Sequence, residues 1–195
     1  MVNGASLRSA GVDPSQSHRI DTSVRNSATD TWIPASIGIG SNQDDPVAQV
    51  RVALQALATL PKTRLMVASG LYRNPPMGPV EQPDYVNAVA VILTQLSARD
   101  LFAGLQVLEL EQGRVRGDGP RWGPRRIDLD ILTYGCRQID ESDLVIPHPG
   151  ISERNFVLLP LLEICPYLPI PGKGSVGRLA AAIDGTMLEK ITAPL

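Results

Sequence analysis

The chain has 195 residues, 43% of them hydrophobic, and a formal charge of −2. This length favours a single domain with one buried core. The slightly acidic balance argues against a general nucleic-acid-binding protein, and the lack of an 18-residue apolar run argues against a membrane span, so we expect a soluble cytoplasmic protein.

Residues 1–30 are rich in serine, aspartate, threonine and asparagine and show no hydrophobic period, which predicts a flexible extension before a single domain at residues 31–195. The apolar segment at residues 32–40 predicts a first, central strand. Gly40, Ser41 and Asn42 then predict a turn, followed by a helix at about residues 46–60.

Two further strands are predicted at residues 64–72 and 86–93. The segment between them, residues 74–82, is crowded with prolines and glycine, which predicts a loop of fixed shape. Tyr85 and Asn87 lie two residues apart on one face of the entering strand, where the amide can donate and accept hydrogen bonds at once. On these residues alone, packing at a sheet edge and a turn-capping amide are the favoured explanation.

A second helix is predicted at residues 98–112, because apolar residues recur at helical spacing. Gln106 and Glu109 flank the end of this helix. A glutamate in such a position is usually solvated. The predicted buried side consists of Leu101, Leu105 and Leu108, with Val107.

The segment at residues 114–130 is crowded with charge and broken by glycine and proline. Guanidinium groups bind phosphate oxygens bidentately and stay protonated, so the arginines favour an anionic ligand. A glycine-rich loop is costly to order, and we therefore infer a lid that closes over an anionic substrate. The alternative is a solvated loop neutralised by nearby aspartates. The arginines are Arg114, Arg116, Arg121, Arg125 and Arg126.

The alternating run at residues 127–134 predicts a strand that places Asp128 and Asp130 on one face. Two carboxylates this close repel each other unless a cation lies between them, and hard oxygen ligands favour Mg²⁺. The pair therefore suggests a site for Mg²⁺ and a polyphosphate. A solvated face, or ion pairs with the nearby arginines, is the alternative.

The segment after this strand predicts a hairpin at residues 139–146 that returns to the sheet, a buried helical turn at 155–165 and a closing helix at 175–183. We expect the last dozen residues to fray. His148, between two prolines, can hydrogen-bond a phosphate or the backbone. Arg154 can bind an anion or pair with a surface acid, and Phe156 can stack on a ring or fill the core. The order strand, helix, strand, strand, helix, strand predicts a ferredoxin-like α+β sandwich with helices on one sheet face and the other face partly free.

Several motifs in the same order resemble the 6-hydroxymethyl-7,8-dihydropterin pyrophosphokinases of folate biosynthesis. They are G-S-N at residues 40–42, Y-R-N-P-P-M-G-P at 72–79, Q-P-D-Y-V-N-A at 82–88, R-W-G-P-R at 121–125, D-L-D at 128–130 and P-H-P at 147–149. The resemblance implies the same sandwich fold in a single domain, a monomeric enzyme, and diphosphate transfer from ATP to the pterin hydroxymethyl group with release of AMP. It also implies that G-S-N shapes the site without a chemical role of its own.

The resemblance further implies roles for individual residues. Arg114 and Arg125 are implied to be catalytic, and Asp128 and Asp130 to hold two Mg²⁺ ions. The implied pterin-binding residues are Asn74, Pro75, Met77, Tyr85, Asn87, Trp122 and Phe156. The implied nucleotide-binding residues are Gln106, Glu109, Arg116, Arg121, Trp122, Arg125, Ile131, His148 and Arg154.

Two other functions fit parts of the pattern. A ferredoxin-like RNA-binding module also displays a sheet with arginines and aromatics, but the aromatic string typical of such modules does not occur. A Mg²⁺-dependent nuclease or nucleotidyl transferase would use D-x-D as its metal pair, and it would need a third carboxylate, for which Glu109 and Glu111 are the candidates. Cys136 and Cys165 lack the spacing of a metal site and are expected to be reduced thiols.

Overall fold

A computed structural model describes residues 1, 31–77, 81–114 and 123–191 of the chain. The strands in these residues are β1 (Ile33–Ser41), β2 (Thr63–Ala68), β3 (Leu71–Asn74), β4 (Tyr85–Thr94), β5 (Asp128–Tyr134), β6 (Ile139–Glu141), β7 (Leu144–Ile146), β8 (Pro169–Ile170), β9 (Gly174–Ser175) and β10 (Glu189–Ile191). The helices are α1 (Pro46–Leu57), α2 (Ala98–Glu111), α3 (Asn155–Ile164) and α4 (Val176–Ala180), with a 3₁₀ turn at Pro149–Ser152. No described helix combines the length and the apolar character needed to cross a membrane.

Side-chain caps set the starts of the two longest helices. The Asp45 carboxylate accepts a hydrogen bond from the Ala48 N–H at 3.1 Å, and Pro46 occupies the first helical position, where its missing N–H costs nothing. The Ser97 hydroxyl caps α2 by accepting from the Asp100 N–H at 3.1 Å. Both helices therefore begin where the sequence predicts, and α1 ends three residues earlier than residue 60.

The central sheet is antiparallel and has the order β10-β3-β4-β1-β5, with β2 also paired to β4. This order, with α1 after β1 and α2 after β4, confirms the predicted ferredoxin-like sandwich. The predicted single strand at residues 64–72 is wrong, because Ser69 and Gly70 divide it into β2 and β3. The Ser69 hydroxyl accepts a hydrogen bond from the Val89 N–H at 3.0 Å and so replaces a regular ladder bond.

Both faces of the sheet carry an apolar core, which corrects the expectation of helices on one face alone. The first core packs α1 and α2 against the sheet and includes Ile37, Leu57 and Leu105. The second core joins Val89 and Leu132 to apolar residues of α3, α4 and the 3₁₀ turn. The partly free face is consequently reduced to the sheet end nearest the β5 carboxylates.

The segment after β5 departs from prediction in several ways. The hairpin forms, but β6 and β7 pair with each other as a separate sheet. The helix at residues 155–164 is a full α-helix, and the closing helix covers only Val176–Ala180. The last dozen residues were expected to fray, but part of this segment is ordered. Strand β10 pairs with β3, and the Lys190 ammonium donates to the Glu163 carboxylate at 2.8 Å. The predicted extension at residues 2–30 lies outside the described residues.

Candidate active site

One cleft opens where β1, β4 and β5 meet the loop after β3 and the start of α3. Its lining combines neutral side chains on one side with charged side chains on the other. Most of the site residues that the sequence singled out converge here. The lining residues are Gly38, Ile39, Gly40, Asn74, Met77, Tyr85, Asn87, Ala88, Arg125, Asp128, Asp130, Leu132, His148, Arg154, Phe156 and Val157.

The two β5 carboxylates share one face of the sheet, as predicted. Asp128 and Asp130 line the cleft, while the intervening Leu129 and the following Ile131 are buried in the core under α1 and α2. Across the sheet, each carboxylate residue pairs with a glycine of β1: Asp128 with Gly40 and Asp130 with Gly38. No side chain stands at either partner position, and the neighbouring side chains use the space: a Cβ at Gly38 would lie 3.2 Å from Cδ2 of Leu132.

Gly40 belongs to the G-S-N motif that the sequence singled out, whereas Gly38 is a residue of the cleft lining that the sequence reasoning missed. The alternation of Gly38, Ile39 and Gly40 within a strand was the available signal, because it places both glycines on one face. At Gly40 the space is already used: a Cβ there would lie 2.8 Å from Oδ1 of Asn87. Gly40 thus makes room for the amide that faces the cleft.

Two arginines neutralise Asp128. Arg114 donates from Nη1 to Oδ1 of Asp128 at 2.6 Å, and Arg125 donates from Nη1 to Oδ2 at 2.6 Å. Arg114 Nη1 also bonds the carboxylate of Glu109, which is 1% exposed. Asp128 therefore forms the ion pairs with nearby arginines that were the alternative to a metal site.

Asp130 has a different environment from Asp128: its side chain is 42% exposed, but the surface that it exposes faces the cleft, whose walls exclude much of the surrounding water. Burial and repulsion from Asp128 raise the pKa of Asp130 to about 7, and Arg154 opposes this shift only in part. Asp128 is neutralised by two arginines, whereas Asp130 is not. A divalent cation bound at this pair would reduce the repulsion between the two carboxylates.

His148 is oriented toward Asp130 by the turn that follows it. The Gly150 N–H donates to Nδ1 of His148 at 3.1 Å, so the proton of the neutral ring resides on Nε2, which lies 3.8 Å from Oδ2 of Asp130. Burial and the nearby Arg154 lower the pKa of His148 to about 4. The ring is therefore neutral at pH 7 and presents a single N–H donor to the cleft.

The neutral side of the cleft, which we name the amide wall, consists of Asn74, Tyr85 and Asn87. Asn87 Nδ2 donates to Asn74 Oδ1 at 2.6 Å, and Asn74 Nδ2 donates to the Pro75 carbonyl at 2.8 Å. These bonds fix both amides, so Oδ1 of Asn87 faces the cleft as an acceptor. Phe156 lies in the same lining, with the Arg154 guanidinium 5.8 Å from its ring centroid.

The G-S-N turn holds the loops around the cleft. Asn42 donates from Nδ2 to Gln82 Oε1 at 3.0 Å and to the Pro83 carbonyl at 3.2 Å, and its Oδ1 accepts from the Arg125 N–H at 2.7 Å. Ser41 Oγ donates to the Arg126 carbonyl at 2.6 Å. The turn therefore joins the segments before β4 and before β5, in agreement with the site-shaping role inferred for it.

Several predicted site residues do not line the cleft. Glu109 is not a solvated helix acid, as the pattern suggested, because it is buried and also accepts from the Leu129 N–H at 2.8 Å. Val107 is 51% exposed and was wrongly placed on the buried side of α2. Pro75, Gln106 and Ile131 do not belong to the lining, and the buried Ile131 side chain leaves only main-chain contacts for a nucleotide. The predicted site residues outside the described part of the chain are Arg116, Arg121 and Trp122.

Comparison with known proteins gives one consistent family. The family model described as 7,8-dihydro-6-hydroxymethylpterin-pyrophosphokinase (HPPK) matches residues 36–166. The 2-amino-4-hydroxy-6-hydroxymethyldihydropteridine pyrophosphokinase of Pseudomonas aeruginosa is 43% identical over 155 residues, which cover 80% of this chain and 94% of the relative. The enzyme of the same name from Haemophilus influenzae is 47% identical over 147 residues, covering 75% and 91%.

Solved structures support the fold. The chain superposes on the crystal structure of Plasmodium falciparum HPPK-DHPS A437G/K540E with pterin and p-hydroxybenzoate with a TM-score of 0.65 and 12% identity. The match covers 84% of this chain and 47% of the Plasmodium chain, so the present chain spans about half the length of that protein. At this identity the likeness concerns the fold alone.

Proposed function

Since the chain belongs to the 7,8-dihydro-6-hydroxymethylpterin-pyrophosphokinase family, we infer that it transfers diphosphate from ATP to the hydroxymethyl group of 6-hydroxymethyl-7,8-dihydropterin. The pterin hydroxymethyl oxygen attacks the β-phosphorus and gives up its proton to water, the bond between the β-phosphorus and the α,β-bridging oxygen breaks, and AMP leaves. The products are AMP and the pterin diphosphate of folate biosynthesis. We further propose that residues 31–195 form the single catalytic domain, acting as a cytoplasmic monomer.

The observation that carries the site assignment is the shared cleft of the β5 carboxylates and the amide wall. Asp128 and Asp130 stand opposite Gly40 and Gly38, and the fixed amide of Asn87 lies on the adjoining strand β4. An acidic pair next to hydrogen-bonding groups of fixed orientation suits a reaction between a metal-bound polyphosphate and a flat heterocycle.

The donor set fits Mg²⁺. The cleft lining offers two carboxylates, Asp128 and Asp130, as hard oxygen ligands. Mg²⁺ commonly takes only one or two carboxylates and completes its shell with water and substrate phosphates. We propose that Asp128 and Asp130 hold two such ions. Bound Mg²⁺ would neutralise the triphosphate and align the attacking and leaving oxygens.

The arginines next to Asp128 are proposed to exchange partners when substrate binds. Arg114 and Arg125 each donate to Asp128 at 2.6 Å, and a cation at Asp128 would release their guanidinium groups toward the transferring phosphates. There they would stabilise charge that develops in the transition state. Glu109 keeps Arg114 attached to the end of α2 during this exchange, because its carboxylate is buried and also bonded to β5.

The amide wall is proposed to bind the pterin. Asn87 Oδ1 would accept from a ring N–H, Tyr85 would border the ring, and Phe156 would stack on it. Asn74 orients Asn87, and Met77 closes the lining on the loop side. Trp122 stays a proposed stacking partner on the other face of the ring, and Pro75 a proposed neighbour.

The nucleotide would lie on the side of His148 and Arg154. His148 presents Nε2–H beside Asp130, and Arg154 brings a cation into the same lining, so both suit phosphate oxygens. The other nucleotide contacts implied by the family stay proposals. They are Gln106, Glu109, Arg116, Arg121, Trp122 and the main chain of Ile131.

The two alternative functions are not favoured. A nuclease or nucleotidyl transferase would need a third acid in the cleft, but Glu109 is buried and engaged by Arg114 and the Leu129 N–H. An RNA-binding module would need an open sheet face, and here α3 packs across that face.

The direct test is a coupled assay in which the protein, ATP, Mg²⁺ and the pterin alcohol are incubated together. We expect stoichiometric AMP and pterin diphosphate, and neither product when EDTA is added or the pterin is omitted. Release of ADP instead of AMP, or AMP formed without pterin, would contradict the proposal.

A further inference from the structure

Arg154 differs from Arg125, the other cation in the cleft lining. Arg125 is paired with Asp128 at 2.6 Å, whereas Arg154 makes no ion pair with any residue that the structure describes. Its main chain is fixed, since the Arg154 carbonyl accepts from the Val157 and Leu158 N–H groups at the start of α3. Packing therefore helps to set the direction of its guanidinium, together with the attraction of the Asp130 carboxylate.

Two neighbours provide that packing. On one side the guanidinium carbon lies 5.8 Å from the ring centroid of Phe156. On the other side it rests against Gly150 in the 3₁₀ turn: a Cβ on Gly150 would lie 2.7 Å from Nε, 3.1 Å from Cζ and 3.3 Å from Cδ of Arg154. The guanidinium thus occupies the space that any side chain at position 150 would fill.

We propose that Gly150 is a positioning residue for Arg154, and that its missing side chain is what allows the guanidinium to face the phosphate side of the cleft. This inference rests on the proposed function, in which Arg154 meets the phosphates of ATP. Gly150 has a second contact, because its N–H donates to His148 Nδ1 at 3.1 Å. An alanine keeps that N–H, so Gly150→Ala changes the space beside Arg154 and leaves the histidine bond in place.

The geometry predicts that this substitution is tolerated by the fold. Gly150 does not have a positive φ, so an alanine fits its backbone. The atoms that a Cβ would meet are the far end of a long side chain, which can turn away at little cost. We expect the melting temperature of Gly150→Ala to be unchanged or slightly higher, because alanine restricts the unfolded chain.

A matched control lies elsewhere on the surface. A Cβ on Gly70 would lie 2.6 Å from Cε of Lys190, which is again the far end of a flexible side chain, but this contact is between β10 and the segment before β3, outside the cleft lining. Gly70→Ala therefore introduces the same kind of crowding without touching the site.

The test is a double-mutant cycle on the full chain with Gly150→Ala, Arg154→Ala and both together, with Gly70→Ala as control. We expect Gly150→Ala to raise the KM for MgATP by about tenfold, in the manner of Arg154→Ala, and to leave the KM for the pterin unchanged. In the Arg154→Ala background the glycine substitution should have no further effect, because the side chain it displaces is gone. Gly70→Ala should match wild type.

Two results would overturn the inference: an unchanged KM for MgATP in Gly150→Ala, or an equal further loss in the Arg154→Ala background. A crystal structure of Gly150→Ala provides an independent measurement. An Arg154 guanidinium in its wild-type position in that structure would also contradict the inference. If wild type releases no AMP, the proposed function fails, and the affinities of wild type and the four variants for MgATP, measured by calorimetry, then decide the role of Gly150.

Discussion

The two sides of the cleft differ in how far they are prepared for a ligand. In the amide wall, Asn74 and Asn87 are joined by a 2.6 Å hydrogen bond, and the pterin is proposed to meet groups that already have their orientation. On the opposite side, Asp128 is occupied by Arg114 and Arg125, and Asp130 carries a pKa raised to about 7 by burial and by Asp128. That side must exchange partners before a cation and a triphosphate can bind.

The difference follows from the chemistry of the two substrates. A neutral heterocycle is recognised by donors and acceptors that lose little by being fixed in advance. Buried charges without partners are costly, so a site for Mg²⁺ and triphosphate holds its charges in temporary pairs until the ligands arrive. Substitutions in the amide wall should therefore change pterin binding, and substitutions on the charged side should change metal binding and catalysis.

Removal of a β5 carboxylate should give the largest effect. Asp130→Ala is expected to lower kcat by about a thousandfold or more, because the cation loses a ligand, while the melting temperature stays the same or rises as repulsion from Asp128 disappears. AMP release and thermal unfolding measure the two effects. Asp140→Ala, which removes an exposed acid of β6, should leave both unchanged, and retained turnover in Asp130→Ala would refute the metal assignment.

Arg114→Ala should lower kcat by about a hundredfold and change the KM for the pterin little, because its charge acts mainly in the transition state. The same substitution removes the Arg114 bond from the buried Glu109 carboxylate, which is expected to cost about 2 kcal/mol in the free energy of unfolding. Arg125→Ala is the comparison, since Arg125 does not contact Glu109 and should lose activity without this loss of stability. Equal stability of the two variants would contradict the structural role of Arg114.

Asn87→Ala should weaken the binding of the pterin without affecting the binding of MgATP. The KM for the pterin is expected to rise by about tenfold, because one oriented hydrogen bond is lost and Asn74 Oδ1 loses its donor. Steady-state kinetics with each substrate varied in turn should show the KM for MgATP unchanged. A larger effect on MgATP than on pterin would place the heterocycle elsewhere.

Metal binding in the absence of nucleotide should release protons. With the pKa of Asp130 near 7, the carboxyl is mostly protonated below this pH and must lose its proton to bind a cation. Calorimetric titration with Mn²⁺ in buffers of different ionisation enthalpy should show proton release that increases as the pH falls from 8.5 to 6. Release that does not increase as the pH falls would mean that Asp130 is already ionised.

The sequence was most informative where the pattern is local and periodic. The strands β1, β4 and β5, the starts of α1 and α2, and the common face of Asp128 and Asp130 follow from hydrophobic alternation and caps, and the structure confirms them. The division of β2 from β3 was missed, because it depends on a hydroxyl of Ser69 that bonds to a residue twenty positions away.

Contacts between distant segments account for most of the remaining differences. No local pattern indicates that Glu109 is buried against Arg114 and β5, or that β10 pairs with β3. The positions of the glycines also matter through distant residues. Gly38 and Gly40 pair with Asp130 and Asp128 across β1 and β5, and Gly150 lies against the Arg154 guanidinium.

The central claim is that a divalent cation takes Asp128 and Asp130 as ligands and displaces the arginines onto the nucleotide. A crystal structure with Mn²⁺, an unreactive ATP analogue and the pterin, recorded with anomalous scattering, tests it directly. We predict anomalous peaks at both carboxylates, with Arg114 and Arg125 moved from Asp128 to phosphate oxygens. No peak at these carboxylates, with both arginines still bonded to Asp128 beside a bound nucleotide, would contradict it.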